Sequence, residues 1–306
     1  MRVVFAALMS ALLLIVIATG ASAQNGLERF EKDIKPQLDL KKFSYASAQP
    51  LSASGFVLNN VVAVIPANAA TGDKESTVKI DKVTVEELDF DRLKKDSKDD
   101  LAPRFAKLRL EGMTGDDEMF TALEPYGVPK VPFDVALDYR IDSPAKVLTL
   151  NLLEVTLRGQ ARFALSMVLD GVGDKTDMDT AKDEGRLRSA SFTIDDKELL
   201  AKLIPAVAQE EGIKPEELIT TALDALEGFS QAQTGDTLKA LDAVASFIGD
   251  WKAPKGPLVL GLKPTKTAGL EDMDKIMVPD ALSTIFGFTA TYPGTRAGAA
   301  KAGSKK

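Results

Sequence analysis

The order of hydrophobic periods along this chain predicts an α+β fold. A large antiparallel β-meander sheet should carry a cluster of helices, at about 196–249, packed on one face. Three observations predict it. Phe133, Val135, Leu137, Tyr139 and Ile141 are apolar at every second position, with Asp134, Ala136, Asp138 and Arg140 between them; that is the period of a half-buried strand. From Leu199 to Ile248 the apolar period lengthens to that of a helix. After the rigid connector Ala253-Pro254-Lys255-Gly256-Pro257 the chain returns to short β-rich runs.

Taken in order, residues 24–50 form a polar N-terminal arm with a short helix expected at Leu27–Lys35, which Pro36 ends. Phe56–Ile65 is β-branched and apolar up to Pro66 and reads as a buried strand. Thr71–Ser76 holds a turn at Gly72-Asp73. Val78, Ile80, Val83 and Val85 then alternate with polar residues, slipping by one near Lys82, which predicts a bulge. Arg92–Asp100 reads as a charged, solvated segment. Phe105, Leu108 and Leu110 restart a strand that ends at Gly112, and Asp116–Leu123 reads as a short helix with acids at its positive end.

Beyond the 133–141 strand, Asp142-Ser143-Pro144 makes a turn. Leu148, Leu150 and Leu152 alternate, and Val155 and Leu157 follow after a one-residue shift. Gly159 separates these from Ala161, Phe163, Leu165, Met167 and Leu169. Three strands with short connections read as an antiparallel meander. Asp170–Gly185 reads as an acidic loop and Leu187–Ile194 as one more strand.

The helical stretch divides in three. Leu199, Leu200, Leu203 and Val207 share one face behind an Asp195 or Asp196 cap, with a kink at Pro205 and an end at Gly212. Pro215 opens the next helix, striped by Leu218, Ile219, Ala222, Leu223 and Leu226. A third runs from about Asp236 to Gly249 with Leu238, Leu241, Val244, Ala245 and Ile248. Leu258–Leu262 reads as a strand, Leu270–Phe286 as a helix in two pieces broken at Pro279, and Phe288–Tyr292 as a last strand.

The ends carry a different signature. Met1-Arg2 precedes an apolar run from Val3 to Ala18, and Ala21-Ser22-Ala23 stands before Gln24. Those are the three parts of a secretory signal peptide, and the run is shorter than a membrane span requires. The expected organisation is a cleaved signal at 1–23, a single α+β domain at 24–294 and a disordered basic tail at 295–306. The expected location is the bacterial periplasm. After signal cleavage no membrane span is expected.

Composition narrows the chemistry. The formal charge is −7, and removing Arg2 with the signal makes it more negative, which argues against a nucleic-acid partner. The chain has no cysteine and no histidine. Disulfides, zinc or copper sites built on those ligands, and Ser-His-Asp or Cys-His catalysis are therefore excluded.

The remaining motifs read as structure. Asp170, Asp174, Asp177, Asp179, Asp183 and Glu184 crowd one loop, but the run Asp177-Met178-Asp179 breaks the ligand order of a calcium hand. Ser76 and Lys79 match the Ser-x-x-Lys spacing of acyl-transfer enzymes but fall on a strand, which sends them to opposite faces. Ser143 and Lys146 match it within a turn. Asp89 and Asp91 form one of many paired carboxylates. Trp251, the single tryptophan, reads as a core plug at a helix end. The Phe133–Ile141 face with Phe163 and Leu165 reads as core beneath the helices that carry Leu203, Leu223 and Leu241, with a lipid groove as the alternative. No catalytic residue, metal ligand or cofactor is expected, and the ligand-binding residues stay unassigned.

The rhythm of Ala136–Asp142, Leu148–Leu157 and Ala164–Gly171 resembles the β-meander of exported Gram-negative envelope proteins of the AsmA type. The resemblance implies an envelope setting and no particular activity. The leading expectation is a non-catalytic binding or envelope-maintenance protein, for a lipid, another amphipathic ligand or an envelope protein partner. A carboxylate-dependent hydrolase acting on envelope glycans is the alternative.

Overall fold

Alternating apolar residues can bury one face only if every strand finds neighbours in the same register, and here they all enter one sheet. A computed structural model describes residues 25–68, 73–93, 103–116, 118–174, 178–266 and 268–301. The strands are β1 (Lys42–Ser44), β2 (Ser47–Ser52), β3 (Gly55–Ile65), β4 (Ser76–Leu88), β5 (Phe105–Gly115), β6 (Phe133–Asp142), β7 (Val147–Leu157), β8 (Ala161–Asp170), β9 (Arg186–Asp196), β10 (Leu258–Leu262), β11 (Ala268–Gly269) and β12 (Phe288–Thr291). They form a 12-stranded sheet in the order β1-β3-β4-β5-β6-β7-β8-β9-β10-β12, with β2 on β3 and β11 on β9. Every pairing is antiparallel. The fold is α+β.

Register lines the apolar residues into rows that cross the sheet. One row runs Phe56, Val85, Leu108, Leu137, Leu153, Leu165, Phe192, Leu260, Ala290. A second runs Leu58, Val83, Leu110, Val135, Val155, Phe163, Ile194, Leu258. On the other face the matching row is Val57, Thr84, Arg109, Ala136, Glu154, Ala164, Thr193, Val259, Thr291, mixed in polarity. Thus one face is apolar across nine strands and the other is mixed.

Bulges keep the rows continuous. Asn60 adopts φ 51° and Gly112 φ 67°, left-handed conformations that short polar residues and glycine tolerate. The bulge expected near Lys82 is not there: β4 pairs with β3 in one register through Lys82, and its shift against β5 falls between Val85 and Glu87. In β7 the register shifts between Leu150 and Leu153. Leu153 therefore takes the apolar row, and Leu152, opposite Asp138, turns to the other face. The sequence reading put Leu152 on the apolar side; the bulge moves the shift earlier.

Each end of the apolar face has its own cover. The N-terminal arm is docked rather than loose. It folds into α1 (Gly26–Arg29), one π-helical turn (Phe30–Ile34) and a 3-10 turn (Lys35–Gln37). Phe30 stacks on Phe56 with ring centroids 4.6 Å apart, and Ile34, Phe90, Leu93 and Phe120 complete this core. Phe133, Val135 and Leu137 pack against its margin.

Short helices α2 (Glu118–Thr121) and α3 (Met178–Glu184) interrupt the loops, so the stretch read as an acidic loop contains a helix. The main helices are α4 (Leu199–Glu210), α5 (Pro215–Gln231) and α6 (Gly235–Gly249). The N-cap of α4 is Glu198 rather than Asp195 or Asp196, and its side chain makes no cap bond; Asp196, two residues earlier, accepts the Leu200 N–H at 3.1 Å. The helices cover the far end of the sheet: Ala243 and Phe247 of α6 pack on Leu258 and Tyr292, beside Ile194, Leu260 and Ala290. The sequence reading set them over Phe133–Ile141 instead; those residues lie toward the other cover. The last helical pieces are a 3-10 segment (Leu270–Met277) and α7 (Pro279–Thr284).

Residues 295–301 correct the expectation of a disordered tail. The buried Asp242 carboxylate accepts the N–H of Gly298 at 2.8 Å and of Ala300 at 3.0 Å. Ser230 Oγ donates to the Ala300 carbonyl, and Arg296 bonds Asp250. Small residues let this segment lie close against α5 and α6. Residues 1–24, which include the expected signal at 1–23, and residues 302–306 lie outside the described residues. Among the described residues no helix is long and apolar enough to cross a membrane.

Candidate functional site

Between the two covers, the centre of the apolar face is half-buried. Leu137, Leu153, Val155, Phe163, Leu165, Met167 and Phe192 all retain partial exposure. Their neighbours in the same rows, Leu58 and Phe56 at one end and Leu258 at the other, are closed off at 1–3 % exposure. The contrast is positional, because the chemistry of the rows does not change. Phe163 and Phe192 stack in parallel at 6.4 Å, presenting a flat aromatic step. Helix α4 borders this band: Leu199 and Leu203 pack with Phe163, Val128 and Ala161. Its residues from Leu200 to Val207 are themselves only half-buried. An apolar helix edge and an apolar sheet centre thus flank the same incompletely covered band.

A cleft of about 400 Å³ opens at the ends of β5 and β6 and the turn that follows. Arg92, Arg104 and Arg140 line it beside Phe105, Ile141 and Pro144. Each arginine is held by a carboxylate. Arg104 donates from Nε and Nη2 to Asp89 at 2.7 and 3.2 Å, and its backbone N–H adds a third bond at 3.1 Å. Arg140 reaches Glu87 at 2.9 Å and lies over the Phe105 ring at 5.1 Å. Arg92 pairs with Asp174. Burial alone would raise the Asp174 carboxyl, but the nearby Ser143 hydroxyl and the Arg92 guanidinium hold it below the usual carboxylate range. Ser143 Oγ nevertheless lacks a well-aligned hydrogen bond, and Arg92 Nη1 is buried without one. Next to Arg140 in sequence, Tyr139 donates to the Pro103 carbonyl at 3.0 Å, and burial, with the Asp89 charge, pushes its phenol up to about 12.

The motifs read from the sequence are scattered. Asp170 turns to Arg188, Asp174 to Arg92 and Glu184 to Lys146. Asp177 lies outside the described residues. Among the described residues no group of three acids has the arrangement to hold a metal ion. Ser76 is buried and Lys79 exposed on β4, on opposite faces. Lys146 reaches Glu184 rather than Ser143. Asp89 and Asp91 lie in the turn after β4 and engage Arg104 and Arg29 respectively, so they do not face each other as a pair. Trp251 is buried at the end of α6.

The arginines of the cleft were missed. Their partners are 15, 53 and 82 residues away in sequence, so no local spacing marks them. The one available signal was the pair Arg104-Phe105 opposite Arg140-Ile141 on adjoining strands.

A family model described as an uncharacterized protein matches residues 154–293. The match runs from the middle of β7 to just past β12 and takes in half of the central band and all of the main helices. The chain is similar to that family over this stretch. No curated protein matches the chain.

Proposed function

We propose that the chain is an exported binding protein that holds an apolar or amphipathic ligand, such as a lipid, against the centre of its sheet and catalyses no reaction. One observation carries the reading. The row that is closed off at Leu58 and at Leu258 stays half-buried from Val135 to Ile194 without any loss of apolar character. A sheet centre made of Leu, Val, Met and Phe gains about 25 cal/mol for each Å² removed from water. A ligand with an acyl chain supplies that surface, and the stacked Phe163 and Phe192 suit a flat or flexible apolar body. Exposed apolar patches of this kind mark ligand or partner sites in soluble proteins.

The signal-like segment at 1–23 supports a periplasmic setting for this activity. N-terminal sequencing of protein from the periplasmic fraction should begin at Gln24; Met1 on membrane-bound protein would exclude it. Native mass spectrometry of protein purified from that compartment should show a co-purified lipid mass, released by organic extraction. Protein that arrives empty, and that fails to take up a fluorescent fatty acid, rules the reading out.

A further inference from the structure

We propose that the cleft at the ends of β5 and β6 recognises a phosphate group, through the outward N–H groups of Arg104 and Arg140. The argument rests on how the guanidiniums are held. Arg104 presents its Nε and Nη2 edge to Asp89, whose side chain is only 2 % exposed. Its Nη1 makes no hydrogen bond among the described residues, and the side chain is 41 % exposed. Arg140 uses Nη2 on Glu87 and rests its plane on Phe105, and its Nε and Nη1 make no hydrogen bond among the described residues. Both guanidiniums are therefore fixed from behind and open in front. That is the preorganised fork that suits a phosphate, since little side-chain freedom is left to lose on binding. Arg92 lies deeper in the same wall, with Nη1 buried and unpaired.

The surrounding charge decides what kind of recognition this is. Asp89, Glu87 and Asp174 stand behind the three arginines. Asp142 also lines the cleft, with its Oδ1 occupied by the Ala145 N–H. The neighbourhood is not a positive field, and the whole chain is acidic. Long-range attraction contributes little here. Short-range N–H geometry does the selecting, so binding should depend on particular arginines more than on net charge.

The cleft also has an apolar wall. Phe105, Ile141 and Pro144 flank the arginines. Ile141 belongs to the apolar face, opposite Leu148. Arg140 and Phe105 belong to the other face, so the cleft lies at the strand ends where the two faces meet, and a lipid headgroup is one source of the phosphate. That source rests on the binding reading above; free phosphate does not.

Calorimetric titration of the purified, delipidated chain with inorganic phosphate, dodecyl phosphate and dodecanol separates the two. Two variants are compared, Arg140→Gln on the exposed side and Arg104→Lys, which keeps a cation against buried Asp89 but loses the fork. Lys82→Gln, on a distant part of β4, is the control. Circular dichroism and melting establish that each is folded. Dodecyl phosphate should bind, and each cleft variant should weaken it by about tenfold, the worth of one charge-assisted hydrogen bond. Lys82→Gln and dodecanol binding should be unchanged. If both phosphates bind through the arginines and dodecanol does not bind at all, the cleft stands and the apolar-band reading falls. If dodecanol and dodecyl phosphate bind alike, and Arg140→Gln changes neither by more than about twofold, the cleft proposal is overturned. Failure of both phosphates to bind overturns it too. Should Arg104→Lys not fold, Arg140→Gln alone decides.

Discussion

Leu58 and Leu165 are the same residue type on the same apolar face, yet truncating them should have different consequences. Leu58 is 1 % exposed among Phe56, Val61 and Val85. Changing it to alanine removes three buried carbons, worth roughly 0.8 kcal/mol each, or about 2.4 kcal/mol. The cavity left in a closed core adds about 1–2 kcal/mol, so Leu58→Ala should cost about 3.4–4.4 kcal/mol. Leu165 is half-buried in the centre of the sheet. Its removed carbons were only partly out of water, and the space they leave opens outward rather than forming a void. Leu165→Ala should cost about 1 kcal/mol. Urea unfolding of delipidated protein measures both, because bound lipid would raise stability by mass action and blur the contrast. Far-UV circular dichroism reports the sheet, and fluorescence of Trp251, the single tryptophan, reports the helical end. Coincident transitions license the two-state values. Equal costs for the two substitutions would show that the centre is closed core, and the binding reading would lose the observation it stands on.

Three further outcomes follow from individual groups. The folded Tyr139 phenol keeps its proton to about 12, whereas an unfolded one releases it near pH 10. The folded state therefore binds more protons in that window, stability falls as pH rises through it, and Tyr139→Phe should flatten the fall in urea titrations at pH 9 and 11. Asp242→Ala strips both acceptors from the docked tail; it should cost about 2 kcal/mol and make the chain after Gly294 the first site of limited proteolysis. Asp174→Asn leaves Arg92 without its anion and should cost about 1–3 kcal/mol, while a chelator should leave the melting temperature unchanged; a drop of several degrees on chelation would return the acidic segment to consideration as a calcium site.

What the sequence revealed and what it hid divide along sequence distance. Alternation at Phe133–Ile141 and Ala161–Leu169 is a local signal, and both runs are strands with the expected faces. The change of period at Leu199 marked the helices, while Asp196, expected as the cap, bonds the first turn from two residues before the N-cap. Bulges were harder. A slip shows as broken alternation, but Leu152-Leu153 offers two apolar residues for one position, and only pairing with Leu137 and Leu165 selects Leu153. The docked tail was illegible because Gly298 and Ala300 carry no side chain that advertises a contact; their backbone N–H groups meet a carboxylate 56 and 58 residues away. The arginine cleft was hidden for the same reason.

The uncovered centre follows from the width of the sheet. Ten strands along its path, spaced about 4.8 Å apart, span roughly 43 Å. A helix covers about 10 Å of such a surface. The N-terminal helical segment takes one such width next to β3, and α6 takes another over β10 and β12. Loop residues Phe90 and Phe120 extend the first cover, and the start of α4 extends the second as far as Phe163. Together these fall short of the total by about the width of two or three strands, which is the stretch from β6 to β8 where Leu137, Leu153 and Leu165 stay half-buried. Strands this long with an apolar centre would be a liability if they ended in long free edges. The sheet instead ends in β1 and β2 on one side and β12 on the other, strands of 3, 6 and 4 residues, too short to template another chain. The apolar surface is thus kept away from the edges, where it would recruit strands, and held in the middle, where what it meets is set by the covers on either side.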